Sequence, residues 1–273
     1  MGQIKGYLRG RAVWQALAGS VILQFLVVAC LALFSAPSFA ADPPPPPPTT
    51  AVLVHGAFAD GSAWNKVVPL LQKQGLKVIV VQNPLSSLAD DVAFTKRAIK
   101  EAPGPVVLVG HSWGGAVITQ AGVDPKVKAL VYVAAFAPSV GQSSADTVKD
   151  HPAPPGLARL IVSDGYLKLS PEGVATDFAQ DASDSEKKLI EASQGAVRAA
   201  NFDEKLTAAA WVSKPSWYIV TEQDRMIHPE AQRAAAAKIK ANVKVLRSSH
   251  VPMLSRPLDV AKVIAGAAKS TSP

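Results

Sequence analysis

Short, unbroken apolar runs that recur between helix-like stretches constrain this chain more than any other feature. They are Ala51 to His55, Val78 to Val81, Val106 to Val109, Leu130 to Ala135, Trp217 to Val220 and Val243 to Leu246. Runs of this length without alternation read as strands buried on both faces. Between them, Trp64 to Gln74 carries helical apolar spacing and Gly75 stops it. Ser87-Leu-Ala-Asp90 is a capping box opening a helix that runs to about Glu101. Gly114 to Ala121, Pro229 to Lys240 and Leu258 to Ala268 also read as helices. Strands that alternate with helices are parallel, and right-handed crossovers wind them on both faces of one sheet. The expected fold class is therefore α/β, with a doubly wound, mainly parallel sheet of about six strands over 51–273. Ligands in such sheets sit beyond the carboxyl ends of the strands.

One stretch breaks the rhythm. Ala137 to Lys214 shows no clear strand, holds Pro138, Pro152, Pro154, Pro155 and Pro171, and has helical patches such as Ser185 to Ala200. An insertion of this size after a core strand reads as a helical cap over the site.

The N-terminus differs in kind. Lys5, Arg9 and Arg11 precede an apolar run from Ala12 to Phe34, and Ser38-Phe-Ala40 closes it with small residues two apart. This is the layout of a secretory signal peptide, cleaved after Ala40, for a periplasmic or secreted protein. Two other readings stay open: an uncleaved membrane anchor, and lipid attachment at Cys30 in Val27-Val-Ala-Cys30. Asp42 and the proline run Pro43 to Pro48 form a Pro-rich linker over 41–50. Cys30 is the chain's one cysteine, so the domain beyond it has no disulfide.

The chain carries +7, of which Lys5, Arg9 and Arg11 account for three. Basic residues in the remainder are scattered, which argues against a nucleic-acid partner. Membrane contact is expected only through the N-terminal segment, if that segment is uncleaved or lipidated. No cluster has metal-ligand spacing, so neither metal nor organic cofactor is expected.

Gly110-His-Ser112-Trp-Gly114, extended by Gly115, fits G-x-S-x-G between a strand and a helix. That turn thrusts a serine out at the strand end, beside helix amides that favour negative charge. Ser112 is thus the expected nucleophile. It needs a base, which follows the acid late in the chain order of such sites. Of the five histidines, His55 and His111 adjoin the motifs and orient loops. His151 reads as solvated in the cap, and His228 precedes a helix start. His250, just after the last strand, is in the expected place. After Trp217 to Val220, Asp224 is the better acid candidate and Glu222 the alternative. An oxyanion hole needs two converging amides. Trp113 supplies one, and the His55-Gly56-Ala57-Phe58 loop supplies the Ala57 or Phe58 amide, with Gly56 permitting the turn. Phe58, Trp113, Phe136 and Tyr166 are candidates for an apolar substrate pocket, and core packing explains them equally.

These segments together resemble the α/β-hydrolase superfamily. More narrowly, they resemble the compact group of plant methyl-ester esterases, hydroxynitrile lyases and bacterial relatives. His55-Gly-Ala-Phe-Ala-Asp-Gly-Ser-Ala-Trp64 is similar to its opening loop, and Gly110 to Gly115 to its elbow. Thr221-Glu-Gln-Asp224 and Ser249-His-Val-Pro-Met253 are similar to its acid and histidine segments. The resemblance implies Asp224 as the acid and Ala57 as the second oxyanion amide. Lyases of the group carry a threonine in the opening loop and a lysine after the histidine. Gly56 and Val251 stand there in this chain, which favours the esterase branch. The implied activity is hydrolysis of small carboxylic esters through an acyl-enzyme. Amide or lactone hydrolysis, perhydrolysis, cyanohydrin cleavage and a ligand-binding pseudoenzyme are the alternatives.

Overall fold

The computed structural model describes residues 47–270. The signal, anchor and lipid readings, and the linker as far as Pro46, lie outside the described residues.

The apolar runs form one six-stranded sheet: β1 (Thr50–Val54), β2 (Lys77–Val81), β3 (Val106–His111), β4 (Val127–Val133), β8 (Ser216–Thr221) and β9 (Asn242–Leu246). Its order is β2-β1-β3-β4-β8-β9 and every pairing is parallel. In β1 and β3 every residue is buried. The sheet helices are α1 (Val68–Lys73), α2 (Leu88–Glu101), α3 (Gly114–Ala121), α5 (Pro229–Lys238) and α6 (Pro257–Lys269). The Ser87 hydroxyl caps α2 by accepting from the Asp90 amide at 3.0 Å. The helix α1 packs with α6, and α2 packs with α3. These are opposite faces, because the winding reverses direction at β1. Reversal between β1 and β3 opens a crevice at their carboxyl ends, where a ligand site belongs.

Strand limits differ by a few residues from the sequence reading. β4 ends at Val133 rather than running to Ala135, because Ala134 takes a left-handed φ of 45°. The Tyr218 hydroxyl holds the turn by accepting from the Ala135 amide at 3.1 Å.

The insertion between β4 and β8 needs a correction. Besides short helical turns and α4 (Asp184–Ser193), it contains a three-stranded antiparallel sheet: β5 (Leu160–Ser163), β6 (Tyr166–Leu169) and β7 (Val197–Arg198). The expected helical patch to Ala200 stops at Ser193, and the chain then runs extended into β7. Asp164 and Gly165 turn the β5–β6 hairpin with φ of 51° and 79°. A two-residue turn with both residues left-handed matches the twist of the strands it joins, and Asp-Gly is a favoured pair for it.

Candidate active site

Ser112 sits at the end of β3 with φ 52°, a left-handed conformation that costs a side-chain-bearing residue free energy. Hydrogen bonds fix it there. The Ser112 amide donates to the Val133 carbonyl at 3.1 Å, and its own carbonyl accepts from the Gly115 and Phe136 amides at 3.0 and 3.2 Å. The neighbouring glycines serve close approach rather than unusual dihedrals. A Cβ on Gly115 would lie 2.2 Å from the Phe136 carbonyl oxygen, and one on Gly110 2.5 Å from that of Gly114. Gly56 differs from its expected role in the same way. It does not take the left-handed turn; Phe58 does, with φ 59°. Gly56 is small because a Cβ there would meet Ser112 Cβ at 2.7 Å and His111 Nδ1 at 2.9 Å.

His250 is buried, and its Nδ1 bonds Asp224 Oδ2 at 2.7 Å. Asp224 is buried among donors. Oδ2 also accepts from Thr221 Oγ1 at 2.9 Å and Gln232 Nε2 at 2.8 Å. Oδ1 accepts from the Met226 and Ile227 amides at 2.8 and 2.9 Å. The four other donors aimed at Asp224 make it the acceptor in this pair as well, so the bridging hydrogen is assigned to His250 Nδ1. Glu222 is exposed and faces Arg233 at 3.3 Å. The geometry joins Asp224, not Glu222, to His250.

The other motif histidines orient loops. His111 Nε2 donates to the His250 carbonyl at 2.9 Å, and the two rings lie 4.7 Å apart. Burial, with His250 beside it, pushes the His111 imidazole well below its ordinary pKa, so it is neutral. His55 bonds the Gly56 carbonyl through Nδ1 and accepts the Asn83 amide at Nε2, at 2.8 and 2.9 Å. It ties the loop after β1 to the loop after β2. Burial lowers its pKa too.

A pocket of about 470 Å³ opens above this cluster. Ser112, His250, Ala57 and Phe58 all line it, with Phe136, Phe202, Leu160, Leu167 and Met226 among the apolar walls. Trp113 does not line it. Its side chain is buried, and its indole N–H donates to Asp91 Oδ2 at 2.7 Å. Tyr166 is exposed on the hairpin. His151, read from sequence as solvated, is half-buried and lines the pocket, as does His228. Among the described residues no group of three or more His, Cys, Asp or Glu is placed to hold a metal ion.

Residues 51–263 match the Alpha/beta hydrolase family. The chain belongs to that family. Alpha/beta hydrolase nvfD of Aspergillus novofumigatus is 26% identical over 242 residues, covering 80% of this chain and 95% of that protein. Methylesterase 2 of Arabidopsis thaliana is 25% identical over 248 residues, covering 76% and 90%. The crystal structure of polyneuridine aldehyde esterase superposes with a TM-score of 0.70 at 22% identity, covering 80% of this chain and 98% of that one.

Three groups around the hydrolase site were not found by sequence reasoning. Gln232, fully buried on α5, bonds Asp224, Thr221 and the Ile227 carbonyl. A single amide on the inward face of an alanine-rich helix was the available signal. Asp91, buried under the elbow, holds the Trp113 indole and accepts the Leu85 amide at 2.9 Å. Desolvation pushes its carboxyl up to about 6. From the cap, Asp177 pairs with Arg225, Gln180 donates to the Gln223 carbonyl, and Asp181 accepts the Ser249 amide. These bonds clip one cap segment to the loops that carry Asp224 and His250. Nothing local in sequence marks them.

Proposed function

We propose that the protein hydrolyses carboxylic esters through an acyl-enzyme, with Ser112, His250 and Asp224 as its triad. The observation that carries this reading is that a serine held on a strained elbow shares one pocket with His250, whose Nδ1 bonds the buried Asp224 behind it. Ser112 Oγ bonds to the ester carbonyl carbon while its proton passes to His250 Nε2. Asp224 fixes the tautomer and stabilises the imidazolium. The Ala57 and Trp113 amides are assigned to the oxyanion, and Phe58 to the substrate wall. His250 then protonates the departing alkoxide as the C–O bond breaks. Water gives its proton to His250 and attacks the acyl carbon, and Ser112 Oγ leaves and takes the proton back. The products are one alcohol and one carboxylic acid. Esterases among the relatives support this reaction, as does an apolar Val251, buried after His250, where a lyase of this group would hold a lysine.

The decisive experiment is labelling with a serine-reactive phosphonate together with turnover of p-nitrophenyl butyrate. Adduct on Ser112 and loss of both signals in Ser112→Ala are expected. Turnover that survives Ser112→Ala refutes the assignment. The same reading includes export by the N-terminal segment, checked by N-terminal sequencing of the extracellular or periplasmic protein, which should begin near Ala41.

A further inference from the structure

The pocket contains three polar groups that the triad does not use. Lys149 and His151 come from the cap, and His228 follows the Asp224 loop; all three line the pocket. No aspartate or glutamate lines it. The two chain segments meet, because the Gly156 amide donates to the Arg225 carbonyl at 2.8 Å. Gly156 sits so close that a Cβ would lie 2.2 Å from Met226 Sδ. His151 is therefore a few residues before, and His228 a few residues after, a point where cap and acid loop touch. Lys149 is exposed and both histidines are half-buried, so all three are open to solvent as well as to the pocket. Asp146 is already engaged by the Ser143 amide at 3.0 Å and by Lys205 at 3.9 Å, and the exposed Asp150, between Lys149 and His151 in the chain, does not line the pocket. The remaining walls, from Phe58 and Phe136 to Leu160 and Leu167, are apolar.

An apolar chamber whose lining includes a lysine and two further histidines but no carboxylate selects a ligand with an apolar body and an anionic end. Resting on the ester-hydrolase reading, we infer that the substrate is an ester of an amphipathic acid. Its hydrocarbon part spans the pocket from Ser112, and a carboxylate or similar anion at its far end meets Lys149, His151 and His228. A volume of about 470 Å³ is far more than an acetyl group fills, so short acyl esters leave most of the apolar wall unused.

Monomethyl suberate, methyl octanoate and methyl acetate separate these contributions, because the first two differ only at the anionic end. Methanol release at low ionic strength should give kcat/KM for octanoate on the order of 10³-fold above acetate, from burial of six methylenes. Suberate should exceed octanoate by roughly five- to tenfold, the scale of one or two partly screened ion pairs. That second ratio should fall toward one in Lys149→Ala, drop partway in His228→Gln, and shrink at high salt. A ratio taken on one preparation is insensitive to the fraction folded. Preference for acetate, preference for octanoate over suberate, or a ratio unmoved by Lys149→Ala each overturns the inference. Binding of the two eight-carbon esters to Ser112→Ala, measured by calorimetry, is independent of chemistry. If no ester shows Ser112-dependent turnover, ester hydrolysis falls, and binding decides alone. Tighter binding of monomethyl suberate that Lys149→Ala removes sustains the anionic-end recognition; equal or weaker binding overturns it.

Discussion

In the central sheet β1 and β3 bury every residue, whereas in the cap β5 leaves three of its four residues exposed. The two regions also recruit function differently. Ser112, Asp224 and His250 all stand just beyond the ends of sheet strands, where backbone hydrogen bonds fix their positions. The cap contributes pocket lining: Val148, Lys149, His151, Leu157, Leu160 and Leu167. On the proposed reading, the reactive groups stand on the buried sheet and the selecting groups on the more exposed cap. Substitutions in the first should act on kcat, and those in the second on KM and substrate choice.

The largest effects should come from the sheet side. Ser112→Ala is expected to lower kcat on p-nitrophenyl butyrate by about 10⁶-fold, and Asp224→Asn by about 10⁴-fold. Glu222→Gln should stay near wild type, and a crippled Glu222→Gln would move the acid to the other carboxylate. Next comes the elbow's packing. Gly56→Ala forces Ser112 or His111 to shift, and displacement on the ångström scale costs on the order of 100-fold in kcat. A variant with full kcat and an unchanged melting curve would show that the loop yields freely.

The core and the cap also hold buried carboxyl groups whose pKa shifts run in opposite directions. Asp91 has its pKa raised by burial to about 6, so the folded state binds the proton more tightly than the unfolded chain. Its contribution should therefore make stability decline as pH rises from about 4 to 6, and level off above. Burial opposes ionisation of Asp177 too, yet hydrogen bonds from Arg225 and Thr176 and the Arg225 and Arg159 charges hold it below its usual range. Its stabilisation is present above about pH 4 and is lost as pH falls through the lower folded value. Arg225→Ala should lower Tm by a few degrees, the scale of ~1 kcal/mol for a domain of this size. It should also weaken that acid sensitivity. Thermal melts from pH 3 to 7 read both slopes; the same slopes in Arg225→Ala as in wild type would break the assignment. The smallest change is expected from Val162→Thr on the exposed hairpin, within about 0.5 kcal/mol and without effect on kcat/KM.

The sheet was legible because its signal is local. An unbroken Val106 to Val109 with Gly110 to Gly115 behind it states both the strand and the elbow. Ser87-Leu-Ala-Asp90 likewise announced α2 by its own hydroxyl. Order along the chain brought out His250 and Asp224, which the structure then joins by one hydrogen bond. The cap was read less well because its helical and proline signals mask a hairpin of mostly exposed strands. Asp164-Gly165 was the cue within it. Gly56 shows a different limit: sequence says that a side chain is unwanted, but not whether dihedral or neighbour forbids it. Gln232 and Asp181 act across elements, and contacts of that kind are written in three dimensions only.

The three bonds from the 177–181 segment to Arg225, Gln223 and Ser249 tie that part of the cap to the loops that carry Asp224 and His250, and we expect them to open as one cooperative unit. A swinging lid would need to release the acid and histidine loops each time it opened, so this one behaves as a fixed wall. Amide exchange should then report a shared opening rate for residues 177–181, 223–227 and 249–251, and heating should erase activity in the same step that frees the cap.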